Sequence, residues 1–252
     1  MIYGLYVSAT GVLANSYRQD VIANNLANIE TVGFKKDLAR FVELRTAASQ
    51  RGLMQHSNPL LEDLGGGLSI GPTELDLSQG DLEFTGAGTD AAIQGEGFFA
   101  VNDGGRTMLT RDGRMFVNRE GNLALINGGQ EVLDENLKKI PVVMDMPVQI
   151  DANGIVMQKG LALGRIGVFD VPDRALLVKQ GKLMFEYANL EKQIRPGTGV
   201  IRGGTLERAN VDPASALAEL MAAQRELEAN ANMIRFHDQT LGRLVNDVGK
   251  IG

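Results

Sequence analysis

The sequence predicts an α+β chain in which long N- and C-terminal helices form a coiled-coil domain and a β-rich domain is inserted between them. Three observations carry this reading. A stripe of small and apolar residues runs along the first thirty or so positions at helical spacing, and an apolar heptad runs along the last stretch. Between them lie short alternating runs punctuated by glycine, the texture of strands and turns.

The first helix is predicted from Leu5, Ala9, Val12, Ser16, Gln19, Ala23 and Leu26, with Ile22 and Ile29 widening the face. So thin a stripe permits close approach of a partner helix but buries too little to stand alone. The C-terminal helix is the simplest partner. The run "DVIANNLANIETVGFKK" (Asp20–Lys36) places Asn24, Asn25 and Asn28 near the end of the first helix, before a break at Gly33. Asparagine near a helix end caps by side chain to backbone, which accounts for Asn28 better than for Asn24.

Residues 1–33 are therefore read as the first helix, and 34–67 as a linker without a firm period. Residues 68–205 are read as the β-rich domain and 206–252 as the second helix with its entry. Within the β-rich stretch, bends are expected at Asp112-Gly113, Glu120-Gly121 and across Asp151–Gly154. Asp212 is placed to cap the last helix, with Pro213 at its first position and Gly249 as its stop. Its seam is read through Leu217, Leu220, Gln224, Leu227, Ala231, Ile234, Asp238, Leu241, Val245 and Val248. From Pro213 to Val248 such a helix spans about 50 Å. Gln224 and Asp238 either set register as polar seam residues or meet water where the helix turns away from its partner.

Composition narrows the function. A net charge of −6 gives no basic footprint for nucleic acid. The absence of cysteine excludes disulfides, zinc–thiolate sites and a cysteine nucleophile. The start lacks the cationic and long apolar regions of a cleavable signal peptide, and no apolar run has the length of a membrane span, so direct membrane insertion is not expected. "GEGFFA" (Gly95–Ala100) loosely fits a dinucleotide fingerprint, but it runs on as a strand where that motif must open a helix. His56 and His237 stand alone, and the carboxylate pairs Glu74/Asp76 and Asp134/Glu135 sit in polar segments. No catalytic, cofactor or metal residue is expected.

Both ends of the chain carry a family likeness. "SATGVLANSYRQDVIANNLANIETVGFKK" resembles the N-terminal signature of bacterial flagellar rod and hook proteins, carried here by Asn24, Asn25, Leu26, Ala27 and Asn28, then Gly33, Phe34 and Lys35. "GGTLERANVDPASALAELMAAQRELEANANMI" is similar to the family's C-terminal signature through Leu206, Glu207, Asn210, Val211, Asp212, Gln224, Arg225, Glu228 and Asn230. The central "SQGDLEFTGAGTDAAIQGEGFFAV" and "LTRDGRMFVNREGNLAL" look like the rod branch's β-domain core. The loop "TGAGTDAAI" departs from the family's more usual Asn-Pro-Leu-Asp type of turn.

The resemblance implies a structural, non-enzymatic subunit of the flagellar basal-body rod, joined head-to-tail with copies of itself and with other rod subunits in a helical shaft. It also implies passage through the flagellar type III export apparatus to the periplasmic space. Phe34 to Leu38 fits the family's Phe-x-x-x-apolar export element, and an ordinary apolar contact would explain Phe34 as well. Assembly contacts are expected at Asn24, Asn25, Leu26, Asn28, Gly33, Phe34, Lys35, Leu217, Leu220, Gln224, Arg225, Leu227, Glu228, Asn230, Ile234 and Leu241. Length and "LGRIGVFDVPD" favour the proximal-rod subunit, whereas "VIANNLAN" and "QRELEANA" favour the distal one; the proximal subunit is preferred. The competing readings are a soluble β-domain enzyme and a binding module, either one dimerised through the terminal helices.

Overall fold

The computed structural model describes residues 2–44, 66–144, 146–187 and 193–248; His56 and Gly249 lie outside them. The chain has a helix at each end and a β-rich region between, and it divides into two compact units. One unit comprises residues 1–27, 37–74 and 212–252, and the other residues 28–36 and 75–211.

The first unit is built on two helices, α1 (Ile2–Ala27) and α2 (Pro213–Val248). The start of α2 is specified locally. The Asp212 carboxylate accepts from the Ser215 N–H at 3.0 Å, and the Asp212 carbonyl accepts the first helical bond from Ala216. The Ser215 hydrogen bonds hold the Asp212 carboxyl below the usual carboxylate range. Strands Phe41–Glu43 and Leu68–Ile70 pair antiparallel in this unit, and Tyr17 of α1 meets Phe41 edge-on. The stretch read as linker therefore holds ordered strands at its start, and "GLSI" belongs with the helices. Among the described residues no helix is long and apolar enough to cross a membrane.

The second unit centres on a nine-stranded sheet. Its strand Phe98–Asp103 pairs antiparallel with Arg106–Thr110 on one side and Glu131–Val132 on the other. Alternate side chains of "FFAV" enter two different cores: Phe99 and Val101 join Ile93, Met115 and Leu125, while Phe98 and Ala100 join Leu109, Phe169 and Phe185. Both faces are thus covered, which is why the run is apolar without interruption. The expected turns at Glu120-Gly121 and Asp151–Gly154 each join antiparallel strands. After Gly97 the chain continues as the expected strand, without a phosphate-binding helix.

One buried cluster of charge ties this unit together. Glu207 is fully buried, and its Oε1 accepts from Lys35 Nζ at 2.6 Å and from the Gly80 N–H at 3.0 Å. Its Oε2 accepts from Arg111 Nη1 at 2.9 Å. Lys35 also donates to the Ser78 carbonyl, and Arg111 to the carbonyls of Ile93 and Gly95. Burial pulls the Lys35 ammonium below its ordinary range even with Glu207 beside it. Just before Lys35, Gly33 adopts φ +70°, and a Cβ there would lie 2.4 Å from the Arg111 backbone, so only glycine fits the turn.

Two outcomes are expected from these arrangements. Glu207→Gln strands two buried cations, and chemical denaturation should show a loss on the order of 3–5 kcal/mol. Lys35→Met should cost less, because Glu207 keeps Arg111. At Asp212 the folded carboxyl titrates below its unfolded value, so the cap is intact above about pH 4 and is lost as pH falls through the folded value. Amide exchange at Ser215 and Ala216 should rise on that acidification, and Asp212→Asn should remove the pH dependence.

Candidate assembly surface

The two long helices run antiparallel and in contact. Gly4 faces His237, Gly11 faces Asn230, and Arg18 Nη1 lies 3.6 Å from Glu226 Oε2. A Cβ on Gly4 would lie 2.8 Å from His237 Nε2, and one on Gly11 would lie 2.9 Å from Asn230 Nδ2. The glycines thus make room for the two polar side chains of α2.

On α2 the least exposed residues are Ala216, Leu220, Ala223, Leu227, Asn230, Ala231, Ile234, His237 and Leu241, all but Ala231 spaced alternately four and three apart. Leu220, Leu227, Ile234 and Leu241 stand on this seam, as the sequence predicts. Of the intervening positions Ala231 is half-buried, as predicted, whereas Leu217, Gln224, Asp238 and Val245 are exposed, and Ala216, Ala223, Asn230 and His237 stand on the seam as well. At Asn230 and His237 the difference follows from Gly11 and Gly4 of α1, which leave space for those polar side chains. Gln224 and Asp238 therefore meet water rather than α1.

The stripe of α1 holds in larger part: Leu5, Ala9, Val12, Gln19, Leu26 and Ile29 are half-buried and Ile22 is fully inside. Ser8, Ala14, Val21, Ile22 and Asn25 are buried, while Ser16 and Ala23, expected inside, are exposed. The spacing by seven of Gly4 and Gly11, and of Ala216, Ala223, Asn230 and His237, was a visible signal for this face. It is outranked in any hydrophobicity count by the neighbouring leucines.

The asparagines have three different placements. Asn24 is exposed on α1. Asn25 is buried, and its amide makes two bonds to the Asp37 backbone: Nδ2 donates to the carbonyl at 2.8 Å and Oδ1 accepts from the N–H at 2.9 Å. Asn28 is buried in the turn after the helix, where its carbonyl accepts from the Thr31 N–H. Leu26 is half-buried.

Phe34 and Lys35 are each 1% exposed. The Lys179 ammonium stands 4.0 Å from the Phe34 ring centroid and donates to the Lys35 carbonyl. Asn210 carries the C-terminal signature into the same place, accepting from the Lys36 N–H and donating to the carbonyls of Asp76 and Ser78. Gly33, Phe34 and Lys35 of one signature and Glu207 and Asn210 of the other thus meet inside the β-rich unit. Arg111, which completes the cluster, belongs to neither signature and was not singled out by sequence.

The outward set is different in kind. Leu217, Gln224, Arg225 and Glu228 are exposed on α2, together with Met221, Met233 and Phe236. α1 adds Tyr6, Val7 and Leu13. These apolar side chains are exposed to a third or more of their surface.

Comparison with known proteins agrees at both ends and in the middle. Residues 5–35 match the family model "Flagella basal body rod protein", residues 92–158 match "Flagellar hook protein FlgE/F/G D1 domain", and residues 202–247 match "Flagellar basal body rod FlgEFG protein C-terminal". The chain is 31% identical to the flagellar basal-body rod protein FlgG of Borreliella burgdorferi, over 96% of its own length and 97% of that protein's. It is 30% identical to FlgF of Caulobacter vibrioides, over 98% of each chain, and 29% identical to FlgG of Bacillus subtilis, over 98% of this chain and 99% of that one. The chain belongs to the flagellar basal-body rod protein family.

Proposed function

We propose that the chain is a structural subunit of the bacterial flagellar basal-body rod, assembling helically with copies of itself and with other rod subunits into the shaft that transmits torque. The observation that carries this is similarity along nearly the whole chain to proteins named for the basal-body rod. In this reading the role is mechanical rather than catalytic. Delivery through the flagellar type III export apparatus, ending in the periplasmic space, belongs to the same reading. FlgF and FlgG relatives match at nearly equal identity, and the proximal-rod position is the one proposed, on length and on residues 163–173.

The helix pair is read as a coiled coil, supported by the four-and-three spacing from Ala216 to Leu241 and by Gly4 and Gly11 opposite His237 and Asn230. Its intrachain seam is small and partly polar, so its outer apolar residues are the ones left for neighbouring subunits. A heterologous contact that does not close yields a filament rather than a ring. The exposed Asn24, Gln224, Arg225 and Glu228 are assigned to such contacts, and Asn25, Asn28, Gly33, Phe34 and Lys35 to holding the subunit's own shape.

Electron microscopy and sedimentation of the purified chain over rising concentration test this: long tubular polymers are expected, and a small closed oligomer at every concentration would overturn the reading. Leu227→Asp and Gly11→Leu should each disrupt the helix pair and abolish polymers while leaving the denaturation of the β-rich unit unchanged. Shortening residue 230 in a Gly11→Leu, Asn230→Ala double variant should recover part of the loss, read as a non-additive effect in the paired measurements.

A further inference from the structure

α2 carries two outward stripes of matching pattern. Met221, 56% exposed, is followed two turns later on the same face by Glu228. Phe236, 64% exposed, is followed at the same spacing by Arg243. Each stripe is therefore an apolar side chain with a charge seven residues on, and the two charges are opposite.

Resting on the rod reading, we propose that these stripes are the two halves of one contact between successive copies. The later stripe of α2 in one copy lies beside the earlier stripe of α2 in the next, with both helices running the same way. Phe236 then packs against Met221 and Arg243 meets Glu228, because both pairs are offset by fifteen residues (236 against 221, 243 against 228). That offset corresponds to an axial step of about 22 Å along the helix.

The charges select this arrangement over a closed dimer. If the helices ran antiparallel with Met221 against Phe236, Glu228 would fall opposite Ala229, one turn from Arg225, but Arg243 would fall opposite Ala214 with no carboxylate one turn away, leaving the later charge without a complement. Only the parallel, offset pairing satisfies the apolar and the charged positions together. It is heterologous, so each copy keeps one half open for the next and the contact propagates.

The chain contains no cysteine, which makes the test clean. A Met221→Cys, Phe236→Cys double variant should give a ladder of disulfide-linked multimers on mild oxidation. Within one chain the two sulfurs are too far apart to join. A Glu219→Cys, Phe236→Cys control should give none. Met221→Asp and Phe236→Asp should each raise the concentration needed for polymer roughly tenfold or more with helical content unchanged by circular dichroism. Mixed in equal amounts, they should form dimers through the one intact pair of stripes. Wild-type polymer with no ladder, or polymer unaffected by either aspartate, overturns this contact and leaves the rod reading standing. A wild-type chain that stays monomeric overturns both.

Discussion

Glu207 is the point on which the β-rich unit turns. Its carboxylate gathers Lys35, the Gly80 N–H and Arg111, and those partners reach on to the carbonyls of Ser78, Ile93 and Gly95. Segments from both ends and from the middle of the chain are fastened at one buried site. A buried ion pair is no guarantee of net stability, because desolvation opposes the attraction. What the cluster does here is give the buried Lys35 ammonium and the Arg111 terminal nitrogens acceptors drawn from separate segments of the chain. The left-handed Gly33 turn is held beside it, with the Gly33 N–H donating to the Glu207 carbonyl.

This cluster also bears on the helices through chain connectivity alone. The segment that follows α1 and the segment that precedes α2 are joined by Lys35 with Glu207 and by the Lys36 N–H with Asn210. Within the helical unit the pairing itself is modest, since its closest positions are glycine, alanine, asparagine and histidine, and small or polar contacts bury little apolar area. A long helix with so thin an inner seam keeps much of its apolar surface outside.

The large features were legible because they rest on long repeats and local chemistry. The heptad of leucines, the Asp212-Pro213 start of α2 and the turns at Glu120-Gly121 and Asp151–Gly154 all follow from residues close in sequence. What was not legible depends on distance along the chain. Arg111 reads as an ordinary hairpin arginine until it lies against Glu207, ninety-six residues away in sequence. The inner face of α2 was misplaced at alternate positions because hydrophobicity favours Leu217 over the buried Ala216, and because it passes over Asn230 and His237, which fill the space left by Gly11 and Gly4. Pattern reading ranks side chains by apolarity, and close helix packing ranks them by size.

The two signatures accordingly combine residues with different work. Asn25, Asn28, Gly33, Phe34, Lys35, Glu207 and Asn210 are turned inward or bonded within the chain, whereas Leu217, Gln224, Arg225 and Glu228 are turned out. Contiguity in sequence conceals the division, because one turn of helix carries neighbours such as Asn24 and Asn25 to opposite environments. An inward residue acts through the stability of the single subunit, and its loss is felt before any neighbour is present. An outward residue makes few contacts within the subunit, and its loss leaves the core unchanged. The helix period lets one short stretch carry both kinds side by side.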